Sequence, residues 1–99
     1  MSKRRWTPTS PKELAKGKYL GVLEFQDRHG EWQNFEIVQT RRRLVFGSAT
    51  NVGLLESGYL PIDPYLSLDE NLQELYADLE VYYNDGPQSV SSIVTNARM

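Results

Sequence analysis

Residues 67–87, SLDENLQELYADLEVYYNDGP, carry the start, the buried face and the end of a single amphipathic helix. Ser67 and Glu70 have the spacing of a capping box, in which each side chain accepts a hydrogen bond from the other residue's backbone N–H. The segment 84–87, NDGP, ends the helix because glycine tolerates a left-handed conformation and proline cannot continue the hydrogen-bond ladder. Apolar residues recur every three or four positions, which places them on one stripe: Leu68, Leu72, Leu75, Leu79 and Tyr82.

The opposite side of this helix is acidic. Glu70, Glu74 and Asp78 recur every four residues, and Val81 lies among them as an apolar residue on the outward face. Two interpretations stay open. The carboxylates form an ordinary solvated helix face, or they and Val81 meet a basic protein surface.

Two strands, Tyr19–Gln26 and Glu31–Gln39, are predicted upstream of the helix, joined by a turn at residues 27–30. A four-residue turn pairs apolar side chains with apolar side chains. It places Val22 opposite Phe35 and Leu20 opposite Ile37 on one face, and Phe25 opposite Trp32 and Tyr19 opposite Val38 on the other. A two-residue turn at 29–30 gives a poorer match.

The remaining segments complete an α+β domain. Arg42–Phe46 predicts a third strand, Val52–Leu55 a short fourth strand, and Ser89–Thr95 a last strand rich in β-branched residues. Residues 58–67 predict an extended connection because they contain two prolines. Residues 10–16 predict a short N-terminal helix with a serine cap, and residues 1–9 a flexible basic arm. We therefore expect one domain at 10–99, an antiparallel meander of three to five strands with the long helix on one face.

This arrangement predicts a second apolar sheet face that the long helix does not cover. The short N-terminal helix, the glycine-rich segment after the third strand, or another molecule has to cover it. A dimer or a dedicated protein partner is therefore one of the expected solutions. The residues on this face are Tyr19, Leu23, Phe25, Trp32 and Val38.

Composition restricts the class of protein. Ninety-nine residues suit one core, and 39% hydrophobic with 24% charged residues is ordinary for a globular chain. The absence of cysteine excludes disulfides and thiolate metal sites. No apolar run is long enough to span a bilayer, and the basic start is not followed by the apolar region of a secretory signal. We expect a cytoplasmic protein.

The net charge of −2 hides an uneven distribution. Residues 1–50 contain ten Lys/Arg and five Asp/Glu, whereas residues 51–99 contain one arginine and eight Asp/Glu. Either the two halves neutralise each other in the folded domain, or the asymmetry steers a charged partner.

The sequence indicates no catalytic residue, no metal site and no cofactor. His29 is the only histidine and lies at a predicted turn. Residues 47–53, GSATNVG, are small enough for backbone N–H groups to approach an anion, but they lack the lysine of a phosphate-binding loop. A turn or strand bend is the better interpretation, so we do not expect an enzyme.

Nucleic-acid binding is the alternative function. Its phosphate contacts would come from basic side chains, and a tryptophan would stack on a base. An acidic helix and a sequence pI near 5.3 argue against it. The candidate residues are Lys3, Arg4, Arg5, Trp6, Arg41 and Arg43.

Residues 50–59, TNVGLLESGY, and 82–87, YYNDGP, resemble segments of a family of small bacterial proteins, some carried on mobile elements, over residues 18–99. The resemblance implies a bacterial source and assigns no activity or site. The sequence thus favours a non-enzymatic bacterial interaction or regulatory protein that binds a protein partner or itself.

Overall fold

A computed structural model, which describes residues 3–14, 17–50, 53–90 and 92–95, forms one antiparallel sheet and one long helix. The sheet has six strands in sequence order, each antiparallel to its neighbours. The α+β meander is therefore as predicted, although it has more strands than expected. The elements are β1 (Arg4–Leu14), β2 (Gly17–Gln26), β3 (Trp32–Gln39), β4 (Arg43–Thr50), β5 (Gly53–Pro61), α1 (Leu68–Asp85), a 3₁₀ turn (Pro87–Ser89) and β6 (Val94–Thr95).

The helix prediction is confirmed, including both ends. The Ser67 side chain accepts from the N–H of Glu70 at 3.1 Å, and the Glu70 carboxylate accepts from the N–H of Ser67 at 2.9 Å. At the other end the N–H of Gly86 donates to the carbonyl oxygen of Tyr82. The two ends of the predicted stripe are less buried than its middle, because Leu68 is exposed and Tyr82 is only partly buried.

The core lies between α1 and one face of the sheet. At the edge of the core, the exposed Tyr83 of α1 packs its ring 5.9 Å from that of Phe25 and 5.7 Å from that of Phe35. The core residues of the sheet are Leu20, Leu23, Phe25, Phe35, Ile37, Leu44, Phe46 and Leu60, and those after β5 are Leu72, Leu75, Tyr76, Leu79 and Ile93.

The predicted short N-terminal helix is wrong, because residues 10–14 belong to β1. Residues 4–9 of the predicted flexible arm belong to the same strand, which pairs with β2 from Arg4 opposite Phe25 to Leu14 opposite Gly17. Pairing with β2 satisfies backbone groups that a short local helix would leave at a free sheet edge, and an edge strand tolerates proline. Tertiary pairing therefore overrides the local helix signal.

The predicted register of the first hairpin is correct only at its far end, where Tyr19 lies opposite Val38. Leu20 is an extra residue in β2, and from Gly21 onwards every partner shifts by one position, so that Leu23 lies opposite Phe35. Because side chains alternate between faces, this shift moves Leu23 and Phe25 onto the core face. Both are fully buried there, so their assignment to a second apolar face was wrong.

The glycine-rich segment forms parts of two strands. Residues 47–50 end β4, Gly53 begins β5, and the two pair down to Thr50 opposite Gly53. Residues 51 and 52 lie outside the described residues. The predicted last strand is shorter than expected within the described residues: Ser89 ends the 3₁₀ turn, and of residues 92–95 only Val94 and Thr95 pair with β5.

Candidate protein-interaction surface

Five side chains form a continuous row on the sheet face opposite to α1. They are direct partners across successive strands from β2 to β6, so they point to the same side of the sheet. Their chain neighbours Ile37, Leu44 and Leu60 point into the core. We call this set the outer row: Tyr19, Val38, Val45, Tyr59 and Val94.

The middle of the outer row is buried, on the face of the sheet away from the cluster around α1. Val38 and Val45 are each 6% exposed, yet neither is part of the cluster that packs around α1. Tyr19 and Tyr59 are partly buried on either side of them. Val94, at the end of the row, is 42% exposed. The sheet thus has a second, smaller apolar layer on its outer face.

Opposite charges flank the outer row. Glu36 precedes Val38 by two residues on β3, and Arg43 precedes Val45 by two residues on β4. Because Val38 lies opposite Val45 in an antiparallel pair, Glu36 and Arg43 lie on opposite sides of the row. Each is about 7 Å from it along the strand.

Both charged side chains are held against a tyrosine of the row. The Tyr19 hydroxyl donates a hydrogen bond to the Glu36 carboxylate. Burial raises the pKa of Tyr19 to about 12, and the hydrogen bond to Glu36 and its negative charge add to the rise. The Arg43 guanidinium lies 4.0 Å from the centre of the Tyr59 ring, a cation–π contact. These contacts fix where the two charges sit on the outer face.

Trp32 and Arg5 extend the outer face towards the β2–β3 loop. The Arg5 guanidinium lies 4.7 Å from the centre of the Trp32 ring and 3.4 Å from a Glu24 carboxylate oxygen. Trp32 is 39% exposed. An amphipathic, partly exposed tryptophan of this kind is typical of interaction surfaces.

Three of the five residues predicted for the uncovered face lie on it. Tyr19, Val38 and Trp32 are on the outer face, whereas Leu23 and Phe25 are in the core. Sequence reasoning missed the other members of the outer row: Val45, Tyr59 and Val94. The alternation of Val45 with Leu44 and Phe46 was a signal for Val45, but only the register across β4, β5 and β6 joins the three.

The acidic helix face is only partly open to solvent. Glu70 and Glu74 are exposed, whereas Asp78 and Val81 are partly buried. The Glu70 carboxylate takes part in the helix cap. Val81 is therefore less accessible than its outward position in the helix pattern indicated.

The residues predicted for nucleic-acid binding do not share one surface. Arg4 turns towards α1, where its guanidinium lies 2.8 Å from a Glu80 oxygen and 5.1 Å from the centre of the Tyr76 ring. Trp6 packs against the core. Lys3 is exposed before β1, and Arg41 is exposed in the β3–β4 turn. The remaining two, Arg5 and Arg43, make the cation–π contacts on the outer face.

Asp27 organises the β2–β3 loop, which also contains His29. One Asp27 carboxylate oxygen accepts the N–H of His29 at 2.9 Å and that of Glu31 at 3.0 Å. These hydrogen bonds, led by that from Glu31, lower the pKa of Asp27. The contribution of His29 to this loop is therefore the hydrogen bond from its backbone N–H, and the residue is exposed.

Among the described residues, none of the helical segments combines the length and apolarity that a bilayer crossing requires. Comparisons of the chain with protein-family models, with curated proteins and with solved structures find no match.

Proposed function

We propose that this chain is a non-enzymatic protein-interaction module that binds another protein chain through the outer face of its sheet. The outer row is the observation that carries the proposal. Val38 and Val45 are buried but lie outside the cluster around α1, and they continue an apolar row that reaches five strands. An apolar layer of this kind, with charges at its borders, has the anatomy of a recognition surface.

The side chains around the outer row support a specific interface. Tyr19, Tyr59 and Trp32 present large, rigid rings with polar atoms at their edges, a type enriched in interface centres. Glu36 and Arg43 supply opposite charges at fixed positions, which favours one orientation of the partner. A regulatory or assembly role in the bacterial cytoplasm is the context we propose, because the chain has no cysteine to form disulfides.

Photo-crosslinking tests the surface directly. A photoreactive phenylalanine analogue replaces Val94 or Trp32 on the outer face, or Tyr65, a residue 95% exposed in the connection between β5 and α1, as the matched control. The full chain is expressed in its native host and irradiated. We expect a discrete adduct from positions 94 and 32 and none from position 65. The absence of an adduct at both outer positions, or equal yields of adduct at all three positions, contradicts the proposal.

A further inference from the structure

We propose that the partner of the outer face is a second copy of this chain, related by a two-fold axis that runs along the outer row between the two sheets. This inference rests on the proposed function. It names the occupant of the surface and the contacts that select it.

The argument begins with the symmetry of the face. Two copies of the sheet are stacked with their outer faces together, and the two-fold axis lies midway between them, parallel to the outer row. This axis places the outer row of one copy directly over that of the other. It also exchanges the two sides of the row, so the side that carries Glu36 in one copy faces the side that carries Arg43 in its partner. The strands of the two sheets then run nearly aligned, which is a common arrangement of packed sheets.

Charge decides between a second copy and an unrelated partner. Next to the row, the face carries the Glu36 carboxylate on one side and the Arg43 guanidinium on the other; farther out on the Glu36 side, Arg5 and Glu24 pair with each other. The charges next to the row are therefore complementary to themselves after this rotation. The symmetry forms the Glu36–Arg43 pair twice. Glu36 and Arg43 are on neighbouring strands, about 4.8 Å apart across the sheet. To form the pair, the Arg43 guanidinium leaves the Tyr59 ring on β5 and turns towards the partner's Glu36, a movement that the long arginine side chain permits.

The row itself suits stacking of two sheets. Sheets pack face to face about 10 Å apart, with apolar side chains from both faces between them. Tyr19, Tyr59 and Val94 project from the same face as the two buried valines and remain partly exposed. In the dimer these side chains lose their remaining contact with water, which is the main driving force for association.

A charge exchange tests the arrangement. Sedimentation equilibrium measures the dimer dissociation constant of the full chain and of Glu36→Arg, Arg43→Glu and the double variant. Each single change places like charges together twice and should weaken association by more than about tenfold. The double variant restores opposite charges and should return the dissociation constant to within about threefold of the parent value. Arg41→Glu makes the same change of charge in the exposed β3–β4 turn and should have no effect.

Circular dichroism checks that each variant folds, and Glu36→Gln provides a milder change that keeps an acceptor for the Tyr19 hydroxyl. If Glu36→Arg does not fold, Glu36→Gln should still weaken the dimer, because both ion pairs lose a charge. A parent chain that stays monomeric at millimolar concentration overturns the inference. So does a dimer whose dissociation constant is the same in every variant.

The crosslinking experiment separates this inference from the proposed function. An adduct from position 94 with twice the mass of the chain supports both. An adduct of another mass, together with a monomeric parent chain, supports the outer face as an interaction surface but shows that its partner is not a second copy. The absence of an adduct from the outer face rejects the surface, even if the chain dimerises elsewhere.

Discussion

The side chain of Asn71 holds the loop that leads into α1. Its amide nitrogen donates to the carbonyl oxygens of Ser67 at 2.8 Å, Asp63 at 3.2 Å and Leu66 at 3.4 Å. Its amide oxygen accepts the N–H of Asp63 at 2.9 Å. Asn71 is fully buried in this position. The stripe of leucines does not predict its burial, because a polar residue in a helix pattern indicates a solvent-facing position.

Replacing Asn71 should therefore destabilise the protein strongly. Asn71→Ala should lower the free energy of unfolding by about 2–4 kcal/mol, because it removes the side-chain hydrogen bonds of the loop and leaves the part-buried N–H of Asp63 without its acceptor. Urea unfolding monitored by tryptophan fluorescence measures the change. Asn34→Ala removes the same side chain from an exposed position on β3 and should alter stability by less than about 0.5 kcal/mol. Equal losses in the two variants would contradict this role.

Tyr76 presents the opposite case, a buried polar atom without a hydrogen bond. Among the described residues, the Tyr76 hydroxyl is a buried side-chain atom with no hydrogen bond of normal geometry. Burial raises its pKa, and the nearby backbone of Glu24 and of Arg5 partly opposes the rise. Tyr76→Phe should therefore leave stability unchanged or raise it by up to about 1 kcal/mol. Tyr19→Phe makes the same chemical change but breaks the hydrogen bond to Glu36, so it should cost about 1 kcal/mol. Chemical denaturation measures the free energy of unfolding of both variants. A greater loss of stability in Tyr76→Phe than in Tyr19→Phe would refute the prediction.

Among the elements, the β2–β3 hairpin determines which residues reach the core. Its loop is one residue longer than the predicted turn, because the N–H of Asp27 donates to the carbonyl oxygen of Glu31 and the strands pair from Gln26 and Trp32 onwards. The bulge at Leu20 returns the far end of the hairpin to the predicted pairing. One extra residue at each place is thus enough to move Leu23 and Phe25 from one face to the other.

Gly21 permits β1 to approach this irregular part of β2. A Cβ atom at Gly21 would lie 2.3 Å from the carbonyl oxygen of Thr7, and its φ of +149° is unfavourable for other residues. Gly21→Ala should cost at least about 2 kcal/mol, because backbone atoms of β1 have to move. Gly30 also has a positive φ, +83°, but a Cβ atom there would lie 3.9 Å from its nearest neighbour. Gly30→Ala should therefore lower the free energy of unfolding by only about 1 kcal/mol. Thermal unfolding compares the two. Similar losses would show that β1 is not tightly packed at this point.

Local signals predicted α1 well, whereas the sheet needed information from distant residues. The capping box, the leucine stripe and the glycine after the last turn lie within one segment, so the sequence alone defines the helix. The pairing of β1 and the hairpin register depend on contacts between strands, and neither has a local signature. For the same reason the outer row was predicted only in part: it takes one residue from each of five strands.

Across the whole molecule, the basic and acidic halves of the chain are joined by ion pairs. Arg4 on β1 contacts Glu80 on α1 at 2.8 Å, and Arg28 in the β2–β3 loop lies 3.9 Å from Asp85 at the end of α1. Part of the charge asymmetry is therefore neutralised within the fold. The pair of Arg4 and Glu80 is the better shielded of the two, since both its side chains are partly buried.

The N-terminal strand is accordingly part of the folded unit, and Trp6 tests this. Trp6 on β1 packs against the core and is partly buried, whereas the next residue, Thr7, is exposed. Trp6→Ala should lower the free energy of unfolding by about 2–3 kcal/mol, less than for a fully buried tryptophan, because the ring loses only part of its contacts. Thr7→Ala should change it by less than about 0.5 kcal/mol. Unfolding in urea, followed by circular dichroism because a tryptophan is lost, measures both. A flexible arm would instead make the two substitutions equally harmless.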